Sequence, residues 1–135
     1  MKNPLRTRLA AVRGMGPAHD GTHHWWMQRL TALALIPLTV WFVYSALSVL
    51  FPGDLTKVAE WLASPFPAIF MLLLVIALFY HAKLGMQVIV EDYVHHAGWK
   101  TALLILNAFA MITLGLISVM AVLRLHFLDV VSLGV

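Results

Sequence analysis

The chain has 135 residues, 61% of them hydrophobic and only 11% charged, against about 25% charged in an average soluble domain. A water-soluble protein this small has too little interior to hide that much apolar surface, so the composition predicts an integral membrane protein of one domain. Cysteine is absent, which excludes disulfides and thiolate ligation of zinc or iron–sulfur clusters by this chain, and a net charge of +3 gathered near the N-terminus suits membrane orientation better than nucleic-acid binding.

Residues 1–24 are basic and polar, with Lys2, Arg6, Arg8 and Arg13 and the breakers Gly14, Gly16, Pro17 and Gly21. They are expected to form an irregular cytoplasmic segment. No apolar run of signal-peptide length occurs there, and a stretch without serine does not favour a mitochondrial transit peptide. The membrane domain is expected over residues 25–125, with spans over about 28–50, 66–90 and 101–123.

Trp25 and Trp26 precede the first span as interfacial anchors, and Pro37 is expected to kink it. The connection that follows carries Pro52, Gly53 and Asp54, and a short interfacial helix is expected over residues 55–63. Pro65 and Pro67 suit the first turn of the second span. The loop 91–100 comes next, with Gly98 expected to stop the helix and Trp99 to lie in the aromatic belt. The third span holds Asn107, Thr113, Gly115 and Ser118, small or weakly polar residues that favour close packing. Arg124, His126 and Asp129 mark the exit, with a short periplasmic tail over 126–135. Four Lys/Arg before Arg29 against one in the connection 51–64 predict a cytoplasmic N-terminus, an inner loop 91–100 and an outer C-terminus. Three helices are few for a self-sufficient transporter, so a partner subunit is expected.

The second span and its exit, residues 79–96, concentrate the polar groups. His81 lies about 14 Å from an interface near Val90, where only the neutral imidazole is affordable. Neutral imidazole is also the form that ligates iron. Its Nδ1–H could bond the carbonyl of Ala77, leaving Nε2 for a metal; a structural histidine bonded to a neighbouring helix is an equal alternative. At about 100° per residue, Gly85 falls about 40° and Asp92 about 20° from His81, whereas Tyr93 lies about 120° round. Gly85 would let a flat macrocycle or another backbone approach, or would serve ordinary helix packing. Lys83 points away and is read as snorkelling or meeting a partner chain, not as a ligand. Gln87 is expected to bond across a helix contact.

At the exit, the Tyr93 phenol suits a quinone carbonyl as hydrogen-bond donor, and Asp92 could orient it and relay protons. The alternatives are a belt tyrosine and a solvated acid. His95 and His96 are proton donors or solvated histidines. Arg29 is placed to pair with a carboxylate such as a haem propionate, or to flank the span as an inner cation. His24 is preferred as a belt residue over a second ligand. The histidines of 19–24 match no trustworthy zinc spacing.

The run from His81 through Gly85 and Gln87 to Asp92, Tyr93 and His95 resembles the core motif of the small membrane-anchor subunit of succinate dehydrogenase, respiratory complex II. In that family a histidine is followed by glycine four positions on, then by glutamine, and by Asp-Tyr at the eleventh and twelfth positions. The entry Trp25-Trp26-Met27-Gln28-Arg29-Leu30-Thr31-Ala32 is similar to bacterial members. The resemblance implies an all-α fold of three transmembrane helices, forming half of a heterodimeric haem-binding bundle in the bacterial inner membrane. It implies that His81 is an axial ligand of haem b, the other coming from a second three-span anchor subunit. Tyr93 and Asp92 would belong to a ubiquinone site, Arg29 would lie near the haem propionates, and flavoprotein and iron–sulfur subunits would dock on the cytoplasmic face. Lys83 departs from the bulky or aromatic residue expected there. Rival readings are the anchor of a fumarate reductase, a free-standing cytochrome that pairs His81 with His24 or His126, and a purely structural helical subunit.

Overall fold

The computed structural model describes residues 18–51 and 55–132. The basic run 2–13, the turn 52–54 and the side chain of Asp129 lie outside the described set. Among the described residues there are four α-helices: α1 (Ala18–Ser45), α2 (Leu55–Ala63), α3 (Pro65–Tyr93) and α4 (Ala97–Ser132). Three of them, α1, α3 and α4, contain apolar stretches long enough to cross a membrane, and the protein is an all-α membrane protein.

The local chemistry explains the ends. Ser64 is extended (ψ 135°) and Pro65 opens α3, where the missing proline N–H costs nothing. At the other end the helix closes with the Val94 N–H on the Val90 carbonyl, and the turn to α4 occupies only Val94–His96. The stop therefore precedes Gly98, which instead sits in the first turn of α4. The turn is short because His95 folds back, its Nδ1–H donating to the Tyr93 carbonyl at 3.1 Å.

The helices also outrun the apolar spans. Helix α1 begins at Ala18 and passes through Gly21 without a break, and α4 continues to Ser132, so residues 18–24 of the expected irregular segment and 126–132 of the expected short tail are helical. An interfacial backbone still gains from internal hydrogen bonds, and one glycine weakens a helix by only about 1 kcal/mol. Helix α1 likewise continues past Pro37 and ends in a π-helical turn, Ala46–Leu50, with the Phe51 N–H reaching Ala46 at 3.0 Å. Helix α2 forms over residues 55–63, as its composition suggested.

Helix α3 is the centre of a layer, with α1 on one side and α4 on the other. Among the described residues α1 and α4 do not touch. Helix α2 lies across one end, against α3, α4 and the π turn. There Trp41 stacks on Trp61 at 5.7 Å and meets Phe70 at 5.1 Å. His126 of α4 donates its Nδ1–H to the carbonyl of Leu62 at 2.9 Å, satisfying one of the free carbonyls at the end of α2. Buried apolar residues such as Leu38, Leu74, Leu84 and Val122 lie along the two seams of α3, while large residues such as Ile36, Val40, Phe109 and Ile117 are exposed on the flanking helices.

Candidate functional site

The site is built where α1 meets α3. His24, Gln28 and Thr31 recur at helical spacing, within about 60° of one another on α1, and this polar stripe faces the His81–Gly85 side of α3. The helices run antiparallel, with Thr31 at the level of His81 and Gln28 at the level of Gly85.

Thr31 Oγ1 lies 2.9 Å from His81 Nδ1, 2.7 Å from the Met27 carbonyl and 3.1 Å from that of Gln28. The hydroxyl has one proton, and the two carbonyls can only accept. The arrangement that satisfies every contact has Thr31 donating to its own helix and His81 donating Nδ1–H to Thr31. That leaves the lone pair on Nε2, which has no partner among the described residues and is not enclosed by the chain. His81 helps to line a groove of about 440 Å³ with Ala32, Leu35, Ile36, Thr39 and Val40 of α1. The expected Ala77 carbonyl is not the partner. Thr31 comes closer, because α1 packs directly against this face of α3.

A Cβ on Gly85 would lie 3.5 Å from Gln28 Nε2, so the space beside this glycine is filled by the amide of α1. Gln28 Oε1 and His24 Nε2 are enclosed without a partner. His24 is therefore not a belt residue, since its Nε2 faces protein and not lipid. Trp25 and Trp26 are the exposed pair, edge to face at 5.1 Å. Arg29 is exposed, its guanidinium 4.6 Å from the Trp25 ring centre, a cation–π contact that leaves its planar donors available.

At the turn end, Asp92 is exposed and Tyr93, the last residue of α3, is 78% exposed. Neither has a side-chain partner among the described residues. Gln87 does not bridge helices: its Nε2 donates to Glu91 Oε1 at 2.8 Å, one turn along α3. The bridge across the other seam comes from Asn107, whose Nδ2 donates to the Lys83 carbonyl at 3.0 Å.

The same geometry bears on whether one chain could supply two imidazoles to one iron. His24 lies seven residues, about 10 Å, along α1 from the level of His81. His126 is 30 residues, about 45 Å, beyond the α3–α4 turn, whereas His81 is about 18 Å before it. His126 is thus too far from His81 to share a metal, His24 Nε2 is enclosed within the chain whereas His81 Nε2 is open, and no group of three or more histidine or acidic side chains placed to hold a metal occurs among the described residues. Sequence reasoning passed over Thr31 and Asn107 as partners; their signal was a lone polar side chain at a helix spacing that matched its neighbours.

Residues 3–117 match the succinate dehydrogenase/fumarate reductase transmembrane subunit family. The succinate dehydrogenase hydrophobic membrane anchor subunit of Rickettsia conorii is 32% identical over 112 residues, covering 82% of this chain and 88% of that protein. Its counterpart in Rickettsia bellii is 33% identical over 115 residues, 84% and 91% of the two chains. That of Paracoccus denitrificans is 30% identical over 98 residues, 73% and 75%. The chain belongs to the family of succinate dehydrogenase/fumarate reductase transmembrane subunits.

Proposed function

We propose that this chain is the membrane anchor of a succinate:ubiquinone oxidoreductase in a bacterial inner membrane, and that it binds haem b together with a second three-span anchor subunit. The observation that carries the haem reading is His81. Its Nδ1–H is held by Thr31, while Nε2 keeps a free lone pair open to an apolar groove. A neutral imidazole with a fixed tautomer is what a haem iron requires. With His126 too distant and His24 Nε2 enclosed inside the chain, the second iron ligand comes from the partner. Arg29, exposed beside Trp25, offers charge-assisted hydrogen bonds to a propionate. Gly85 contributes by bringing Gln28 and α1 close, and so sets the position of Thr31. The haem, when bound, supplies one-electron storage whose potential follows from its ligands and its low-dielectric surroundings.

Tyr93 and Asp92 serve ubiquinone reduction. The phenol O–H donates to a quinone carbonyl, and the neighbouring carboxylate relays protons from water. Flavoprotein and iron–sulfur subunits dock at this cytoplasmic end, oxidise succinate and pass electrons inward; the anchor performs no bond-making of its own. The N-terminus is cytoplasmic and the α2 end and C-terminus are periplasmic. The curated relatives carry the succinate dehydrogenase name, which favours succinate oxidation over fumarate reduction as the working direction.

Purifying the assembled complex with Tyr93→Phe tests the quinone role. Quinone reduction should fall about tenfold or more, the effect of about 1.4 kcal/mol, while succinate-driven reduction of artificial dyes is retained. Equal loss of both activities would refute it. A stable b-type spectrum from this chain expressed alone would refute the shared-haem reading.

A further inference from the structure

The face of α3 away from His81 carries a charged group that neither haem nor quinone binding uses. Lys83 lies about 160° round the helix from His81 and one turn from Tyr80. Lys83 is half-buried and Tyr80 is 38% exposed, and neither side chain has a partner among the described residues. Depth decides what can neutralise the ammonium. Helix α3 runs for 29 residues with Phe79 at its middle. A hydrocarbon core of about 30 Å centred there covers about ten residues on either side. Tyr80 then lies about 2 Å from the mid-plane and Lys83 about 6 Å from it, both well below the headgroups. A cation at that depth is costly without an anion beside it.

This chain has no such anion to offer. Its six acidic residues are Asp20, Asp54, Glu60, Glu91, Asp92 and Asp129, and each lies outside the apolar spans or in the last turn of one. Glu91, the nearest along α3, is about 12 Å from Lys83 and already accepts from Gln87. A second copy of the chain, inserted in the same direction, brings no carboxylate to that depth either. Lys83 stands at one end of a groove of about 380 Å³ between α3 and α4, where Val75, Phe79 and Tyr80 face Met111, Gly115 and Val119. The groove covers about two turns of α3 and straddles the middle of the bilayer. We infer that it seats a transmembrane helix of a different polypeptide, with an aspartate or glutamate in its middle that pairs with Lys83. A helix is the element that carries a carboxylate to mid-bilayer with its own backbone satisfied, and a furrow between two packed helices takes the ridge of a third. Tyr80, on the rim, donates its O–H to the same carboxylate. The groove at His81 is a separate surface. Ala32, Leu35 and Ile36 wall that one, whereas Leu30, Ala34 and Leu38 flank Tyr80 on the other side of the α1–α3 seam. The layer thus has a partner on each of its faces.

The test uses the complex assembled in its native membrane with photoreactive p-benzoylphenylalanine in place of Tyr80, irradiated before extraction. Mass spectrometry identifies the adducts. One adduct should be a transmembrane segment of another polypeptide with an aspartate or glutamate in its middle. Adding Lys83→Gln should lower its yield about tenfold or more, because the partner's acid is then left unpaired in the membrane. Lys83→Arg should keep the adduct. Lys83→Glu should abolish it, and changing the identified acid to lysine should then restore it. Where Lys83→Glu fails to assemble, recovery of the assembled complex by that charge exchange is the readout, and no recovery overturns the inference. Adducts to lipid alone, to a second copy of this chain or to a segment without a central acid overturn it too, as does a yield that survives Lys83→Gln. The inference rests on the chain's place in a multi-subunit complex but not on haem. It stands or falls by adducts, and the reading of His81 by the visible spectrum.

Discussion

Helix α3 is held by two joints of different construction. Against α4 it is fitted by shape: a Cβ on Gly115 would meet Phe79 at 3.5 Å, and among the described residues one polar bridge crosses the seam, from Asn107 Nδ2 to the Lys83 backbone carbonyl, while Asn107 Oδ1 stays enclosed without a partner. Against α1 it is joined through side chains, Thr31 to His81 and Gln28 over Gly85, and two polar atoms, His24 Nε2 and Gln28 Oε1, stay enclosed and unsatisfied. The first joint orders helices. The second orders the His81 imidazole, since the Thr31 bond that fixes its tautomer draws on a polar stripe on α1. Enclosed polar atoms without partners occur at both joints, so what sets the second apart is the bond between the Thr31 and His81 side chains.

Substitutions break this contrast in a graded way. His81→Ala should have the largest effect, loss or gross perturbation of the b-type visible spectrum of the assembled complex; an unchanged spectrum would reduce the α1 joint to ordinary packing. Gly115→Leu comes next, because the added side chain must displace Phe79. It should destabilise the α3–α4 joint by about 1–3 kcal/mol, measured by thermal unfolding in detergent, whereas Gly115→Ala should be nearly neutral at ordinary contact distance. Thr31→Val should cost about 0.6 kcal/mol, the usual worth of an interhelical hydrogen bond in a membrane. It should also broaden the haem spectrum as His81 loses its fixed tautomer, and loss of stability without a spectral change would count against the orienting role. Gln28→Met, which keeps shape and removes the unsatisfied acceptor, should be neutral or stabilising by up to about 1 kcal/mol. A clear destabilisation would mean that Oε1 has a partner in the assembled complex.

Much of this was legible in the chain. Three apolar stretches with proline at the start of the second and tryptophans at the edges predict three membrane helices, because the bilayer leaves the backbone no other way to satisfy itself. Helix limits were harder to read. Gly21 and Gly98 are breakers on average, yet each sits within a helix whose remaining hydrogen bonds outweigh one glycine. His81 stood out by its depth, but its partner did not. Angular arithmetic along α3 says which residues share a face; it says nothing of which residue of α1 arrives there, and that depends on the register between helices. Gln87 illustrates the limit from the other side, since a glutamate one turn away on its own helix satisfied it before any neighbour did.

The absence of contact between α1 and α4 has a consequence for synthesis. Helix α1 is complete at Ser45, but α3, its one transmembrane neighbour among the described residues, is not complete until Tyr93. At about 5–20 residues per second this is an interval of roughly 2–10 s. During it, the side chains of His24 and Gln28 stand in lipid or insertion machinery without α3, and the Thr31 hydroxyl has only the carbonyls of its own helix. Helix α4, by contrast, emerges beside a finished α3 after a three-residue turn. The nascent first helix is thus the stage at which this protein is most dependent on its surroundings.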